Sequence, residues 1–385
     1  MDSERLKNID KLIDKVNQAS SSRRNIEISS KKNKPGIYAP IDEPIGFTTL
    51  FGYDFNRMIE DPFFYFEQTL KNTLFQWENI KDDAPIPTSI PVFFGHYPES
   101  TFYGLEVKYD SKGVPEIQKD HPISRDPDLK LLKPIDFKKS GWMPIIFKRY
   151  EELKEIARGR MEVSFTKEVQ GMSYTTIWLR GCLDLAIEML GYNNFIVYTT
   201  EKPSFIHDLL KFIVEQRNNW HDEFYKFIGK EKEPVVMGDD WLNIPFITPA
   251  IFETFVLPRY LEIEAHHGGI GWIHSCGNVA KLQTIYLKIK SLKIFEVSPW
   301  TDLKQSLINI PADKHLQIIK KTVDVLTLPD DKIENDIKAT NESCKARSFN
   351  LCTSGLTPIV KEDKDNSDFL SRISRWVEIA RKYVN

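Results

Sequence analysis

The sequence predicts an α/β fold: a (β/α)8 TIM barrel over residues 35–385, preceded by an N-terminal helical extension over residues 1–34. Three observations carry that expectation. From about residue 141 onward, long amphipathic segments alternate with short β-rich runs, as strand and helix do in a parallel architecture. Each run ends in polar or small residues, as where a barrel strand hands over to a functional loop. No glycine-rich dinucleotide or phosphate loop is present, which favours a barrel over a doubly wound sheet.

Taken in order, Leu6, Ile9, Leu12, Ile13 and Val16 recur at helical spacing, and the polar tract NQASSSRRN follows them. Residues 1–34 are therefore expected to be a peripheral helix and its exit. From Pro35 to about Gly104 the chain is rich in Pro, Phe and Tyr, predicting a helix, a strand and long aromatic loops. The polar, proline-containing stretch 105–140 predicts an excursion from the core or a hairpin. Helices are expected in YEELKEIARGR, TIWLRGCLDLAIEML and PSFIHDLLKFIVEQRNNWHDEFYKFI. Strands are expected in PVVMGDDW, GIGWIHSCG, LKIFEVSPW and ARSFNLCTSG. The stretch 300–340 is short and charged for strand–helix units.

The 385 residues are 41% hydrophobic and 28% charged, an ordinary globular composition with length enough for a large core. A net charge of −3 argues against a nucleic-acid partner. Lys31, Lys32 and Lys34, and again Lys138 and Lys139, have acidic residues near them in sequence and read as solvated surface. The N-terminus lacks the apolar core of a signal peptide, and no run of about eighteen apolar residues occurs to enter a membrane. Four cysteines at irregular spacing do not make a disulfide framework. The expectation is a cytoplasmic protein whose reduced thiols can bind metal.

The chemistry concentrates in GWIHSCGNVAKL, residues 271–282. Strand side chains alternate faces, so His274 and Cys276 project together if GWIHSC ends a strand. Imidazole and thiolate are donors that zinc prefers, and Gly277 lets the backbone turn sharply after them. Alone, the pair reads as a packed thiol beside a hydrogen-bonded core histidine. Cys352, in SFNLCTSGLTP, changes that balance: a third soft donor at a later strand end is what a catalytic zinc with an open position needs. Cys182 reads as a packed core thiol and Cys344 as a helix exit.

The combination of HSCGNV, a preceding MGDDWLNIPFITPAIFETFVLPRYLEI and the later LCTSGLTP resembles the uroporphyrinogen decarboxylase superfamily. Within it, the likeness is to the zinc methyltransferase branch, which includes methylcobamide:coenzyme M methyltransferases and corrinoid-dependent O-demethylases. The likeness runs from about residue 165 to the C-terminus and is strongest over 235–282. It implies a TIM barrel whose zinc is held by His274, Cys276 and Cys352. It also implies a carboxylate from the preceding strand, either Asp239 or Asp240. The arginine-rich segment that grips tetrapyrrole carboxylates in the decarboxylases themselves is not seen, which argues against that reaction.

The implied activity is methyl transfer from a methylated donor, best a methoxylated aromatic, to the cobalt(I) of a corrinoid (cobalamin). No D-x-H-x-x-G cobalamin signature is present, so a separate corrinoid protein would carry that cofactor. Methylcorrinoid:thiol transfer and a non-catalytic zinc- or ligand-binding barrel are the alternatives. Asp239, Asp240 and Glu296 are the candidate catalytic carboxylates; backbone capping is the plainer role for the aspartates. Trp241, Phe246, Trp272 and Trp300, with Tyr97 and Phe102, are candidates to line a flat pocket, and His96 could orient a substrate. His266 and His267 suit a helix C-terminus. The donor, the direction of transfer and the oligomeric state are not readable.

Overall fold

The computed structural model describes residues 3–29, 34–177, 180–358 and 367–384; Lys31 and Lys32, expected at the surface, lie outside them. The described strands are β1 (Ile37–Tyr38), β2 (Ser89–Pro91), β3 (Val107–Tyr109), β4 (Pro115–Ile117), β5 (Glu162–Ser164) and β6 (Thr166–Val169). They continue with β7 (Met172–Thr175), β8 (Val235–Gly238), β9 (Ile270–His274), β10 (Ile294–Val297), β11 (His315–Lys320) and β12 (Phe349–Thr353).

One parallel sheet runs β1–β12–β11–β10, so the first strand pairs with the last. Its register aligns Glu296, Gln317 and Asn350 in one row, and Ile319, Cys352 and Tyr38 in another. Two further parallel ladders join β2 to β5 and β8 to β9, and a parallel bridge ties Arg180 to Gly238. The fold is thus α/β with a parallel sheet. The strands are short and lie in separate ladders, so hydrogen bonding alone does not draw a closed barrel.

The helix Pro203–Ile228 shows why these segments fold as they do. Ile206, Leu209, Leu210, Ile213, Val214, Arg217, Trp220, His221 and Phe224 are its buried stripe, at helical period. Pro203 stands in its first turn, and Gly229, at φ 66°, closes it in the left-handed region. Each buried aliphatic side chain contributes about 1.5–3 kcal/mol.

The N-terminal helix Ser3–Ser29 runs straight through the polar tract expected to end it. Ile9, Ile13 and Val16 are fully buried, Ser20 and Arg23 are buried after them, and Arg23 reaches Asp83 at 3.5 Å. Tertiary burial of that face outweighs the weak helix propensity of its serines.

Stretch 105–140 holds the antiparallel pair β3–β4, as a hairpin reading expects. Stretch 300–340 does contain a strand, β11: its polar His315 and Lys320 sit at the ends, and Gln317 is buried inside. No helix among the described residues is long and apolar enough to cross a membrane.

Candidate metal centre

Two parallel strand ends build the site. β8 and β9 are in register with Gly238 opposite His274, so the loops leaving them lie side by side. The loop after β8 carries Asp239 and Asp240; the loop after β9 carries Cys276. Donor atoms of Asp240, His274 and Cys276 all lie within 4.8 Å of one another. Cys276 Sγ is 3.2 Å from His274 Nε2 and 3.1 Å from Asp240 Oδ1, and His274 Nε2 is 3.7 Å from that oxygen. Metal–ligand bonds of 2.0–2.3 Å in a tetrahedron imply donor–donor edges of roughly 3.3–3.8 Å. The trio is therefore already near the spacing of a bound zinc.

His274 and Asp240 are each held from behind. Glu296, on β10, places Oε2 2.8 Å from His274 Nδ1. A proton on Nδ1 then faces Glu296 and leaves the Nε2 lone pair toward Cys276 and Asp240. Arg180 donates to Asp240 Oδ2 at 2.8 Å, leaving Oδ1 for the trio. The same guanidinium meets Asp184 and Glu188 and lies 4.5 Å from the Tyr97 ring centroid.

The backbone of the Asp240 loop is locked reciprocally with the helix Cys182–Leu190. Asp184 accepts from the amides of Asp240 and Trp241, both at 3.0 Å. Asp239 accepts from Asp184 N at 2.8 Å and from the Tyr260 hydroxyl at 2.5 Å.

The electrostatics match that construction. Burial disfavours a charged imidazole, yet Glu296 and Cys276 together hold His274 well above the usual histidine range. Burial also works against Asp240, but Arg180 and then His274 hold it below the usual carboxylate range. Burial pushes the Cys276 thiol up, with His274 opposing.

Gly277 is required by space: a Cβ there would lie 2.2 Å from the Asn243 side chain. Its φ is not in the left-handed region, so close approach, rather than an unusual turn, is what its lack of a side chain permits.

The other predicted residues divide. Asp239 is fully buried, its carboxylate on backbone amides and Tyr260, and stands outside the trio. Cys352 is also fully buried and outside the trio; burial and the nearby Glu296 charge push its thiol well up. Trp272 lies 5.6 Å ring to ring from His274, and its buried indole N–H has no hydrogen-bond partner.

Trp241 stacks on Tyr192 at 5.1 Å and meets Phe246 edge-on at 4.9 Å, an aromatic wall directly after Asp240. Phe102 stacks on Trp220 in the core instead of lining a pocket. Trp300 is 60% exposed, with Lys321 over its ring. His96 bonds the Glu43 carbonyl at 3.1 Å and touches none of the trio. Cys182 and Cys344 are packed thiols. His266 and His267 end the helix Leu257–His267 before Gly268, at φ 73°.

Sequence reasoning missed Arg180, Asp184 and Glu188. Their spacing of four residues in LRGCLDLAIE was the available signal: one cation just ahead of a helix and two acids on it, at a period that lets all three meet.

No family model matches the sequence, and no curated protein matches it. Solved structures do match, 24 chains among them. A methyltransferase from Methanosarcina mazei superposes with a TM-score of 0.62 at 14% identity, over 92% of this chain and 96% of its own. At that identity the likeness is one of fold, and it extends over nearly the whole of both chains.

Proposed function

We propose that the chain is a zinc-dependent methyltransferase of a corrinoid system, moving a methyl group from a small donor to the cobalt(I) of a separate corrinoid protein. The observation that carries this reading is the Asp240–His274–Cys276 trio at metal-ligand spacing, with Glu296 behind the histidine. The fold shared with the Methanosarcina mazei methyltransferase supports it. In this reading β1, β2, β5, β8, β9, β10, β11 and β12, the strands that make parallel ladders, close into a (β/α)8 barrel with the trio at its C-terminal mouth.

The donor set fits zinc: one imidazole, one thiol and one carboxylate, with the imidazole's other nitrogen on a buried acid. Bound there, zinc supplies Lewis acidity and an open position for the donor's leaving atom. The chain's own residues do the rest. Glu296 fixes the histidine tautomer, and Arg180 holds Asp240 to one free oxygen. The Asp184–Asp239 lock keeps the loop from shifting. The Tyr192–Trp241–Phe246 wall beside Asp240 suits a flat donor, which favours a methoxylated aromatic over a small thiol acceptor. Trp272, beside His274, and Tyr97, beside Arg180, would extend the aromatic lining, while His96, on the Glu43 carbonyl, and Trp300, under Lys321, stand apart from it.

Metal content of wild type, His274→Ala and Cys276→Ala, purified without a metal-binding tag, is the test. About one zinc per chain in wild type and none in either variant is expected. A metal-free wild type, or variants that keep the metal, would sink the reading. Methoxylated aromatics are then screened with cobalt(I) cobalamin as acceptor.

A further inference from the structure

The two histidines that end the helix Leu257–His267 have opposite surroundings. His266 is partly buried in a charged surface cluster: its Nε2 lies 2.9 Å from Asp222 Oδ1 and 3.0 Å from Lys232 Nζ, and Lys232 is 2.7 Å from the same Asp222 oxygen. His267 turns inward, is 2% exposed, and has no hydrogen-bond partner at either ring nitrogen. Its ring meets that of His221 edge-on with centroids 4.7 Å apart, and His221 is equally buried. Each of two packed helices, Pro203–Ile228 and Leu257–His267, thus contributes one imidazole to the contact.

Cations outnumber acids around this pair. Arg217, one turn before His221, lies 3.5 Å from the Glu99 carboxylate and 3.8 Å from Met237 Sδ on β8. Burial raises Glu99 to about 8 despite that arginine, so it offsets little of the Arg217 charge at neutral pH. Lys232 comes from the loop ahead of β8 and His266 from the next position, and Asp222, which opposes them at His267, is already bonded to both. Tyr225 lies against His221 with centroids 5.8 Å apart, and its hydroxyl bonds Glu233. Burial, then His266, Arg217 and Lys232, push His267 down to about 3. Burial, then His267 and Arg217, hold His221 well below the usual histidine range. A helix C-terminus ordinarily favours a cationic imidazole; burial overrides that here.

We propose that the His221–His267 contact is an acid-released latch between the two helices, closed while both rings are neutral and opened when they take up protons. A proton on His267 would place a buried cation near Arg217 and Lys232 with no acceptor for the new N–H. The latch stands at the entry ends of β8 and β9, the opposite ends from the metal centre, because the two helices lead directly into those strands. It does not depend on the metal reading.

A histidine held down in the closed state stabilises it above the ordinary histidine value of about 6.5, and that contribution is lost as the pH falls below it. From pH 7.5 to 5.0, each released histidine favours the open state by about 30-fold.

The test is amide hydrogen exchange on the full chain at pH 7.5 and 5.0, corrected for intrinsic exchange, in wild type, His221→Phe and His267→Phe. Phenylalanine keeps a ring in the contact and cannot take a proton. Wild-type protection over 217–232 and 260–270 should fall at least about 30-fold, while the helix Asp330–Ser343 keeps its own. Either substitution should remove about 30-fold of that fall, and the comparison with wild type cancels the titration of Glu99 and Asp222. His267→Gln, smaller and equally unable to be protonated, repeats the measurement where a phenylalanine variant does not fold. Equal loss of protection in all three segments, or a fall unchanged by the substitutions, overturns the latch.

Discussion

Two strand ends in this molecule carry a cysteine, and their surroundings differ. At β9, Cys276 is exposed and meets an imidazole and a carboxylate, each already fixed by a buried partner. At β12, Cys352 is fully buried between Tyr38 and Ile319 in the parallel register, and burial pushes its thiol well up. One corner is organised around donor atoms; the other is organised around excluding water. A cysteine at a strand end is thus poised for chemistry only where the neighbouring loops bring it polar partners.

That contrast can be broken most sharply by metal content. Cys276→Ala should abolish zinc binding, whereas Cys352→Ala should weaken it and leave measurable metal. Equal loss in the two variants would make the corners equivalent and undo the comparison.

Next in size is Arg180→Met. It leaves Asp184, Glu188 and Asp240 without their shared cation, and a buried charge network broken on one side costs about 3–5 kcal/mol. Denaturant unfolding should show that loss; a change under about 1 kcal/mol would mean that the carboxylates find other partners.

Glu296→Gln should lower zinc affinity about 10- to 100-fold, because the histidine loses its charged orienting partner. A competitive chelator titration reads it, and unaltered affinity would remove Glu296 from the site.

The smallest effect concerns pH. In metal-free protein the Cys276 thiol, although the residue is solvent-exposed, is raised by desolvation among its neighbours, so its thiolate appears only above the ordinary thiol range. Its alkylation rate should still be climbing with pH where a free cysteine has levelled off. At every pH it should exceed that of Cys352, and a reversal of that order would contradict the burial of the β12 corner.

Much of the β9 corner was legible because it is local. Alternation along GWIHSC puts two donors on one face, and the β8 loop sits next to it as the neighbouring parallel strand. Choosing between Asp239 and Asp240 was not legible. Both follow the same strand, and only Tyr260 and the amides of the Cys182–Leu190 helix draw Asp239 inward. Arg180 escaped notice because its partners Asp184 and Glu188 look like ordinary helix-surface acids until the helix start is buried against the Asp240 loop.

By itself, the sequence determined the α/β alternation, the buried stripe of the Pro203–Ile228 helix and the pairing of His274 with Cys276. Each follows from spacing along one element, where backbone geometry fixes which side chains share a face. Tertiary structure alone decided that Asp240 completes the trio, that Glu296 stands behind the histidine, and that Gln170 reaches the Thr353 carbonyl. Those are contacts between segments far apart in the chain. Their formation depends on how strand ends are brought into register, which no local pattern of residues encodes.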